Sequence, residues 1–305
     1  MLNFIVNPNA RSGLGSKIWA KLEEVLKARE TEYQVFFTKY QRHATLIARD
    51  ITADGLEHTI VVLGGDGSVN ETVNGIKDLT KVTFGYIPIG SSNDFARGLS
   101  LTRDPIPALL HIISPEEYKE INIGVLSYGE KKRRFVNSAG AGFDAGVCHQ
   151  VVISKLKAVL NKLKLGKLVY AGVAFDRIVT LDPKDMSITL DGTKKMDFKK
   201  VVFAAAMNNR YEGGGFLFCP KAGPSDDILD IIVVADMPKS KILALLPLAF
   251  KGWHVFFKGV HIFQCKEAEF DSTVALPLHT DGEPIFLQHK LKATLESTKL
   301  KVIIS

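Results

Sequence analysis

Cysteine is scarce in this chain. Cys148, Cys219 and Cys265 are odd in number and widely spaced over 305 residues, and no CxxC pair occurs. That pattern supports neither a zinc ribbon nor a disulfide framework, and it makes a reducing, cytoplasmic setting the expectation. The eight histidines form no HExxH or HxH pair, so histidine-bound metal is not expected. A Gly-x-Ser-x-Gly elbow is missing, which argues against a serine hydrolase, and the Walker A sequence is missing, which excludes a P-loop enzyme. Long apolar runs are missing too. The longest, around Ile242 to Phe250, contains Pro247 and is too short to span a bilayer. The start, Met1-Leu2-Asn3-Phe4-Ile5-Val6, lacks the basic region and long apolar run of a signal peptide and reads as a first strand. Any membrane contact is therefore expected to be peripheral. Repeats and low-complexity tracts are absent as well.

What is present suits a folded, two-domain protein. Hydrophobic residues make up 46% of the chain, enough for packed cores, and 305 residues is long for a single one. The net charge of +6 and pI of about 9.0 suit an anionic partner: a nucleotide, a nucleic acid or an acidic membrane surface.

The first ~125 residues alternate strand and helix signals. Leu2 to Val6, Tyr33 to Phe37, Thr59 to Leu63 and Phe84 to Ile87 read as strands. The third is a continuous apolar run, as expected where both faces of a strand are buried. Between them, Ser16 can cap a helix with Ile18, Trp19, Leu22, Val25 and Leu26 on one face, and His43 to Ala53 and Ser68 to Ile76 read as further helices. This rhythm predicts a doubly wound parallel sheet over residues 1–125. After Ile123 strand signals dominate: Arg134 to Ser138, Val201 to Met207, Ile228 to Val234, His261 to Phe270 and Lys299 to Ile304, with Asp-Gly turns at Asp191-Gly192 and Asp281-Gly282. A mainly-β sandwich domain is expected over residues 126–305, interrupted by helices near Ile153 to Phe175 and Lys239 to Phe257. Whether the last strand returns to the first domain is open at this level.

Three loops that follow strands of the first domain have the chemistry of a phosphate site. Val61-Val62-Leu63-Gly64-Gly65-Asp66-Gly67-Ser68-Val69-Asn70-Glu71 is a buried strand ending in glycines, with a helix directly after. Glycines let backbone N–H groups approach an anion, and the helix start adds a positive dipole. Asp66 would sit beside the phosphates, where it could hold Mg²⁺. Asn7-Pro8-Asn9-Ala10-Arg11-Ser12-Gly13-Leu14-Gly15 lies after the first strand, and its Arg11 can pair with phosphate. Gly90-Ser91-Ser92-Asn93-Asp94-Phe95-Ala96-Arg97 comes after the fourth strand and offers hydroxyls and a carboxylate. Each loop alone also fits an ordinary strand-to-helix turn or helix cap. In a parallel sheet all three would leave the same edge, where ligands bind.

Two segments of the second domain add acidic chemistry. Pro220-Lys221-Ala222-Gly223-Pro224-Ser225-Asp226-Asp227-Ile228-Leu229-Asp230 fits a type I turn, and its carboxylates and free carbonyls equally suit a hard cation such as Mg²⁺. Thr280-Asp281-Gly282-Glu283-Pro284 reads as a hairpin tip whose Glu283 could take a proton from an attacking hydroxyl if the tip faces the nucleotide.

Together these ordered blocks resemble the bacterial diacylglycerol kinase family, whose catalytic domain is shared with sphingosine and ceramide kinases. Gly64-Gly65-Asp66-Gly67 alone would also fit NAD kinases, which look like distant relatives; the Gly90 to Arg97 block and the late Asp281-Gly282-Glu283 favour lipid kinases. The resemblance implies ATP bound between the two domains, contacted by Asn7, Pro8, Asn9, Ala10, Arg11, Thr38, Gly64, Gly65, Asp66, Gly67, Ser68, Val69, Asn70 and Ser91. It implies Asp66 and Asp94 around a catalytic Mg²⁺ and Glu283 as general base on a lipid hydroxyl. It also implies a structural Mg²⁺ on Asp226 and the carbonyls of Gly223 and Ile228. The chain departs from the family pattern at Asn122, where an aspartate is usual, and at Asp227, where glycine is common.

The implied reaction is transfer of the γ-phosphoryl of ATP to diacylglycerol. A soluble NAD-type kinase and a catalytically weak nucleotide- or lipid-binding regulator are the rivals. Nucleic-acid binding is a weaker third, since the lysines lack an interleaved aromatic platform. Two basic, apolar segments are candidates for membrane contact: Ser154 to Tyr170, and Lys239 to Lys258 with Trp253, Phe256 and Phe257. Each also fits a core-packed helix with a solvated basic face. Homodimerisation through β-domain edges stays open.

Overall fold

The computed structural model describes residues 1–142 and 182–305. Cys148 and the expected basic helix near Ile153 to Phe175 lie outside the described residues. The chain divides into two compact units, residues 1–123 with 297–305, and residues 124–296.

The first unit is built on a six-stranded sheet. Strands β1 (Leu2–Val6), β2 (Tyr33–Phe37), β3 (His58–Gly64) and β4 (Val82–Pro88) alternate with helices α1 (Ala10–Ala28), α2 (His43–Ile51) and α3 (Asp66–Gly75). Helices α4 (Asp94–Gly98) and α5 (Pro105–Ile113) precede β5 (Tyr118–Ile121). β1 to β4 run parallel in the order β2-β1-β3-β4, with Val6 beside both Phe37 and Leu63, and Gly64 beside Pro88. The central strands are apolar on both faces because helices cover both: Ile60, Val61, Val62 and Leu63 are all fully buried. On one face, Phe4, Leu22, Leu26 and Leu109 share a core with Trp19, whose ring meets Phe4 edge-on at 5.1 Å. The last strand, β15 (Leu300–Ile303), joins this sheet, parallel to β4 and antiparallel to β5. The expected 126–305 domain therefore ends at residue 296, and the start moves to Gly124, which pairs with Phe135 and Leu295.

Among the described residues, the second unit is built on an antiparallel nine-stranded sheet. Its strands are β6 (Gly124–Tyr128), β7 (Lys131–Phe135), β8 (Ser138–Gly142), β9 (Lys184–Leu190), β10 (Lys194–Met207), β11 (Leu229–Ala235), β12 (Val260–Cys265), β13 (Glu267–Thr280) and β14 (Glu283–Leu295). The order is β12-β11-β10-β8-β13-β14-β6-β7. β9 pairs with both β10 and β13, filling between residues 194–201 and 268–272 the lane that β8 fills between residues 203–207 and 278–280. Along β10 the pleat sends Ala204 and Ala206 to one core and Phe203, Ala205 and Met207 to another. That second core is closed by α6 (Lys239–Ala249), through Ile242 and Leu245.

Two expected strands are each split by an aspartate. Arg134 to Ser138 is the end of β7 and the start of β8, broken where Asp281 accepts the N–H groups of Val136, Asn137 and Ser138 at 2.9, 2.7 and 3.0 Å. His261 to Phe270 is likewise split, between β12 and β13, where Asp191 accepts from Lys266 and Glu267 at 2.8 and 3.1 Å. Both aspartates lead Asp-Gly turns with positive φ at each residue. Each turn thus stitches the corner at which a distant segment changes partners.

After α6 the chain makes a short 3₁₀ turn, residues 253–256, pinned by buried His254, whose Nε2 lies 3.1 Å from the carbonyl of Phe218. Burial lowers the His254 pKa, with the Phe218 hydrogen bond opposing. Neutral His254 donates from Nε2, so protonation would place a second N–H, on Nδ1, where no acceptor stands. A depressed folded pKa means stability present above the ordinary histidine value and lost as pH falls. Tm is expected to fall between pH 7.5 and pH 5, and His254→Gln to flatten that slope.

Candidate functional site

The segments leaving β1, β2, β3 and β4 all emerge at one edge of the parallel sheet. Strand addition reverses direction between β1 and β3, the kind of switch point at which open α/β sheets bind ligands. Asn7 spans it. Its N–H donates to the Leu63 carbonyl at 2.9 Å, and its Nδ2 reaches Ser68 Oγ at 3.5 Å. Its Oδ1 accepts from the Asn9 N–H at 3.1 Å, while the Pro8 carbonyl accepts from both the N–H and hydroxyl of Ser16. Arg11, Ser12 and Gly13 are left-handed, with φ of 47°, 62° and 90°, and leave Arg11 exposed. Thr38 is held at the same edge, its N–H on the Val6 carbonyl at 2.9 Å.

The second and third glycine loops touch main chain to main chain. A Cβ on Gly90 would stand 2.5 Å from the Gly65 Cα and 2.7 Å from Asn93 Oδ1. Gly90→Ala is therefore expected to push the loops apart, costing about 1–3 kcal/mol of stability and weakening nucleotide binding, as read by thermal melts and calorimetry. Asp66 heads α3 and reaches across to this third loop: its Oδ1 accepts from the Phe95 N–H at 3.0 Å. Burial raises its pKa, and the N–H groups of Phe95, Asp94 and Asn93 oppose the rise. Asp94 is buried, 3.6 Å from the Arg97 guanidinium. Ser91 is exposed at the loop tip. Ala10, Val69 and Asn70 are buried, so Ala10 and Val69 can serve the edge only through their main chain. Asn70 packs along its own helix, its carbonyl accepting from Asn74 Nδ2 at 2.8 Å.

In the second unit, the Glu283 tip is built on a buried polar frame. Thr280 pairs directly with Glu283 across the Asp281-Gly282 turn, and Glu283 is half-buried. Asp281 is spent on the three N–H groups of residues 136–138, so it clamps the turn. Fully buried His279 accepts the Gly282 N–H at Nδ1, 3.3 Å, and its Nε2 lies 3.2 Å from Glu212 Oε1. With Nδ1 an acceptor, the ring proton sits on Nε2 and points at the Glu212 carboxylate. Below the tip, Asn208 and Asn209 donate their N–H groups to the Asn137 carbonyl at 2.8 and 3.0 Å, and Asn209 Nδ2 bonds Asn137 Oδ1 at 2.8 Å.

The expected cation turn does bring its residues together. Asp226 Oδ1 accepts from the Ile228 N–H at 3.2 Å, and its Oδ2 faces Gly223. These are oxygen donors of the kind Mg²⁺ prefers. Among the described residues no three His, Cys, Asp or Glu side chains cluster as metal ligands. A cation here would thus depend on Asp226, main-chain carbonyls such as those of Gly223 and Ile228, and water. Asp227 adopts φ of 63°, a conformation glycine takes without strain. Nearby Asp230 is buried, and that burial lifts its pKa to about 6.

Comparison with known proteins matches these two halves to two family models. Residues 1–126 match the diacylglycerol kinase catalytic domain, and residues 137–303 match the YegS C-terminal NAD kinase β-sandwich-like domain. A candidate lipid kinase of Bacillus subtilis, YtlR, is 30% identical over 285 residues, covering 92% of each chain. The chain belongs to the diacylglycerol kinase family. The diacylglycerol kinase of B. subtilis is 27% identical over 79% of this chain and 78% of its own. A solved structure of a candidate diacylglycerol kinase from Bacillus anthracis superposes with a TM-score of 0.78 at 25% identity, covering 100% of this chain and 97% of its own. Membership makes the protein a phosphotransferase of the lipid kinase type. The two-part architecture, a parallel-sheet unit followed by a β-rich one, is that of the family.

Several residues that frame the site were not singled out from sequence. Buried Tyr86 donates its hydroxyl toward the Gly64 carbonyl and Asn93 Oδ1, at 3.4 and 3.2 Å, tying the second loop to the third. Burial holds its pKa well above the usual tyrosine value, and the charges of Asp66 and Asp94 add to the rise. Glu71 reaches from α3 to accept the N–H groups of Arg42 and Ala44, at 2.7 and 3.3 Å, at the start of α2. Glu212 and His279 behind the tip complete this set. A signal existed for the second unit: Asn208 and Asn209 directly follow the apolar run Val201 to Met207, and His279 directly follows the apolar run Val274 to Leu278.

Proposed function

We propose that the protein transfers the γ-phosphoryl group of ATP to a lipid alcohol, with diacylglycerol as the acceptor and phosphatidic acid as the product. The observation that carries this reading is the convergence of three glycine loops at one sheet edge, with Asp66 hydrogen-bonded from the second loop into the third. Phosphoryl transfer is mostly a matter of positioning and charge neutralisation, so main-chain N–H groups and fixed carboxylates are its natural machinery. Residues 7–11, Thr38 and residues 64–70 would hold the nucleotide, with Arg11 and Ser91 as exposed donors to phosphate. Asp66 and Asp94 would hold Mg²⁺, which supplies charge neutralisation at the transferring group when bound. Glu283 would accept the proton of the attacking hydroxyl, held at its place by the Asp281 clamp and the His279–Glu212 pair. The names of the B. subtilis and B. anthracis relatives support diacylglycerol as the acceptor.

Among the described residues no helix is long and apolar enough to cross a membrane. The enzyme would meet its lipid as a peripheral protein. The test is a panel of lipid alcohols in mixed micelles with Mg-ATP, with NAD as a control acceptor. Phosphatidic acid from diacylglycerol is the expected product. Phosphorylation of NAD alone would overturn the lipid reading.

A further inference from the structure

Helix α6 is a core helix: Ile242, Leu245 and Ala249 are buried. The segment just beyond it turns outward. Residues 250–258, Phe-Lys-Gly-Trp-His-Val-Phe-Phe-Lys, expose Phe250 at 52%, Trp253 at 51%, Phe256 at 83% and Phe257 at 39% of their surface. Four large aromatic side chains shown to solvent within eight residues form a patch of the kind that marks an interaction site. The segment is nonetheless firmly anchored. Gly252, at φ of 71°, lies so close to the 217–220 segment that a Cβ would stand 2.7 Å from Pro220 Cγ. The Leu217 N–H donates to the Ala249 carbonyl at 2.9 Å, His254 points inward to the Phe218 carbonyl, and Phe250 stacks on Phe216 at 4.1 Å. The tip is held in shape before anything binds, which lowers the ordering cost of association.

Its charge selects the partner. From Met237 to Lys266 the chain carries five lysines and not one aspartate or glutamate. Lys251 and Lys258 are exposed at the tip, the former with Nζ 4.8 Å over the Trp253 ring. We infer that this aromatic and lysine tip docks the protein on an anionic lipid bilayer, its rings entering the interface and its lysines meeting the headgroups. The inference narrows the expected membrane segment, Lys239 to Lys258, to the turn after the helix. It deepens the lipid-kinase reading and rests on it for its purpose, although binding needs no turnover. A second copy of the chain is a poor occupant, because a two-fold contact would set two lysine-only surfaces face to face.

The experiment uses the full chain with vesicles of pure phosphatidylcholine or of phosphatidylcholine containing phosphatidylglycerol. The Trp253 emission is expected to shift to the blue with the anionic vesicles only. Trp253→Ala with Phe256→Ala should weaken binding at least ~10-fold. Lys251→Glu with Lys258→Glu should weaken it at least ~30-fold and reduce its salt dependence. Both pairs should keep the wild-type Tm and full activity on a short-chain, monomeric diacylglycerol, and lose activity on vesicle-borne diacylglycerol. Unaltered vesicle binding by both pairs would overturn the inference. So would a Trp253 response to single-stranded oligonucleotide but not to vesicles, or dimers that the substitutions dissolve. Vesicle binding by a protein that phosphorylates no lipid would overturn the kinase reading and leave the docking surface standing.

Discussion

Asp66→Asn is expected to lower kcat for lipid phosphorylation at least ~1,000-fold while leaving the fold intact. The substitution is a narrow one. Asn keeps an oxygen at the Oδ1 position, so the 3.0 Å bond from the Phe95 N–H survives. What disappears is the charge. Burial penalises that charge and raises the Asp66 pKa, against the opposing N–H groups of residues 93–95. Relief of the burial cost and the hydrogen bonds lost where the new amide nitrogen faces N–H donors oppose each other, so the metal-free variant should melt within about 3 °C of wild type. Loss of activity with Tm held would identify a group retained for chemistry rather than for the fold. A variant keeping more than a tenth of wild-type kcat would remove Asp66 from the reaction.

Legibility from sequence differed between the two units for physical reasons. In the first, local signals and tertiary structure agree. Leu2–Val6 and Tyr33–Phe37 coincide with the expected strands, because each is a short run of mostly apolar, β-prone residues. The loops at the sheet edge were readable for the same reason: each comes directly after such a run. Tyr86 was not readable, since it lies inside an apolar strand and its role depends on a hydroxyl meeting a loop from another strand. In the second unit the strands Arg134 to Ser138 and His261 to Phe270 looked continuous, and each is two. The break is made by a carboxylate 143 to 145 residues away in the first case, and 75 to 76 away in the second. No local window contains that information. The Asp-Gly turns themselves were evident, but as turns; that their side chains also fix distant corners emerged only from the fold.

The tip carries the other large effect. Glu283→Gln is expected to lower kcat by about 100- to 10,000-fold, with Tm and ATP affinity unchanged, because the amide preserves shape and removes only the base. Asp281→Asn should behave differently. Its two carboxylate oxygens accept three N–H groups, at 2.7, 2.9 and 3.0 Å, and an amide nitrogen on either side would oppose a donor with a donor. Leaving a buried N–H unmet costs about 1–3 kcal/mol, so Tm should fall together with kcat. His279→Ala removes the acceptor of the Gly282 N–H and one partner of Glu212, and should fall in the same class. The pattern separates chemistry from position: one variant inactive and stable, two variants less active and less stable. If Glu283→Gln kept wild-type kcat while Asp281→Asn lost it, the tip would be a structural corner and the proton would have to be taken by another group.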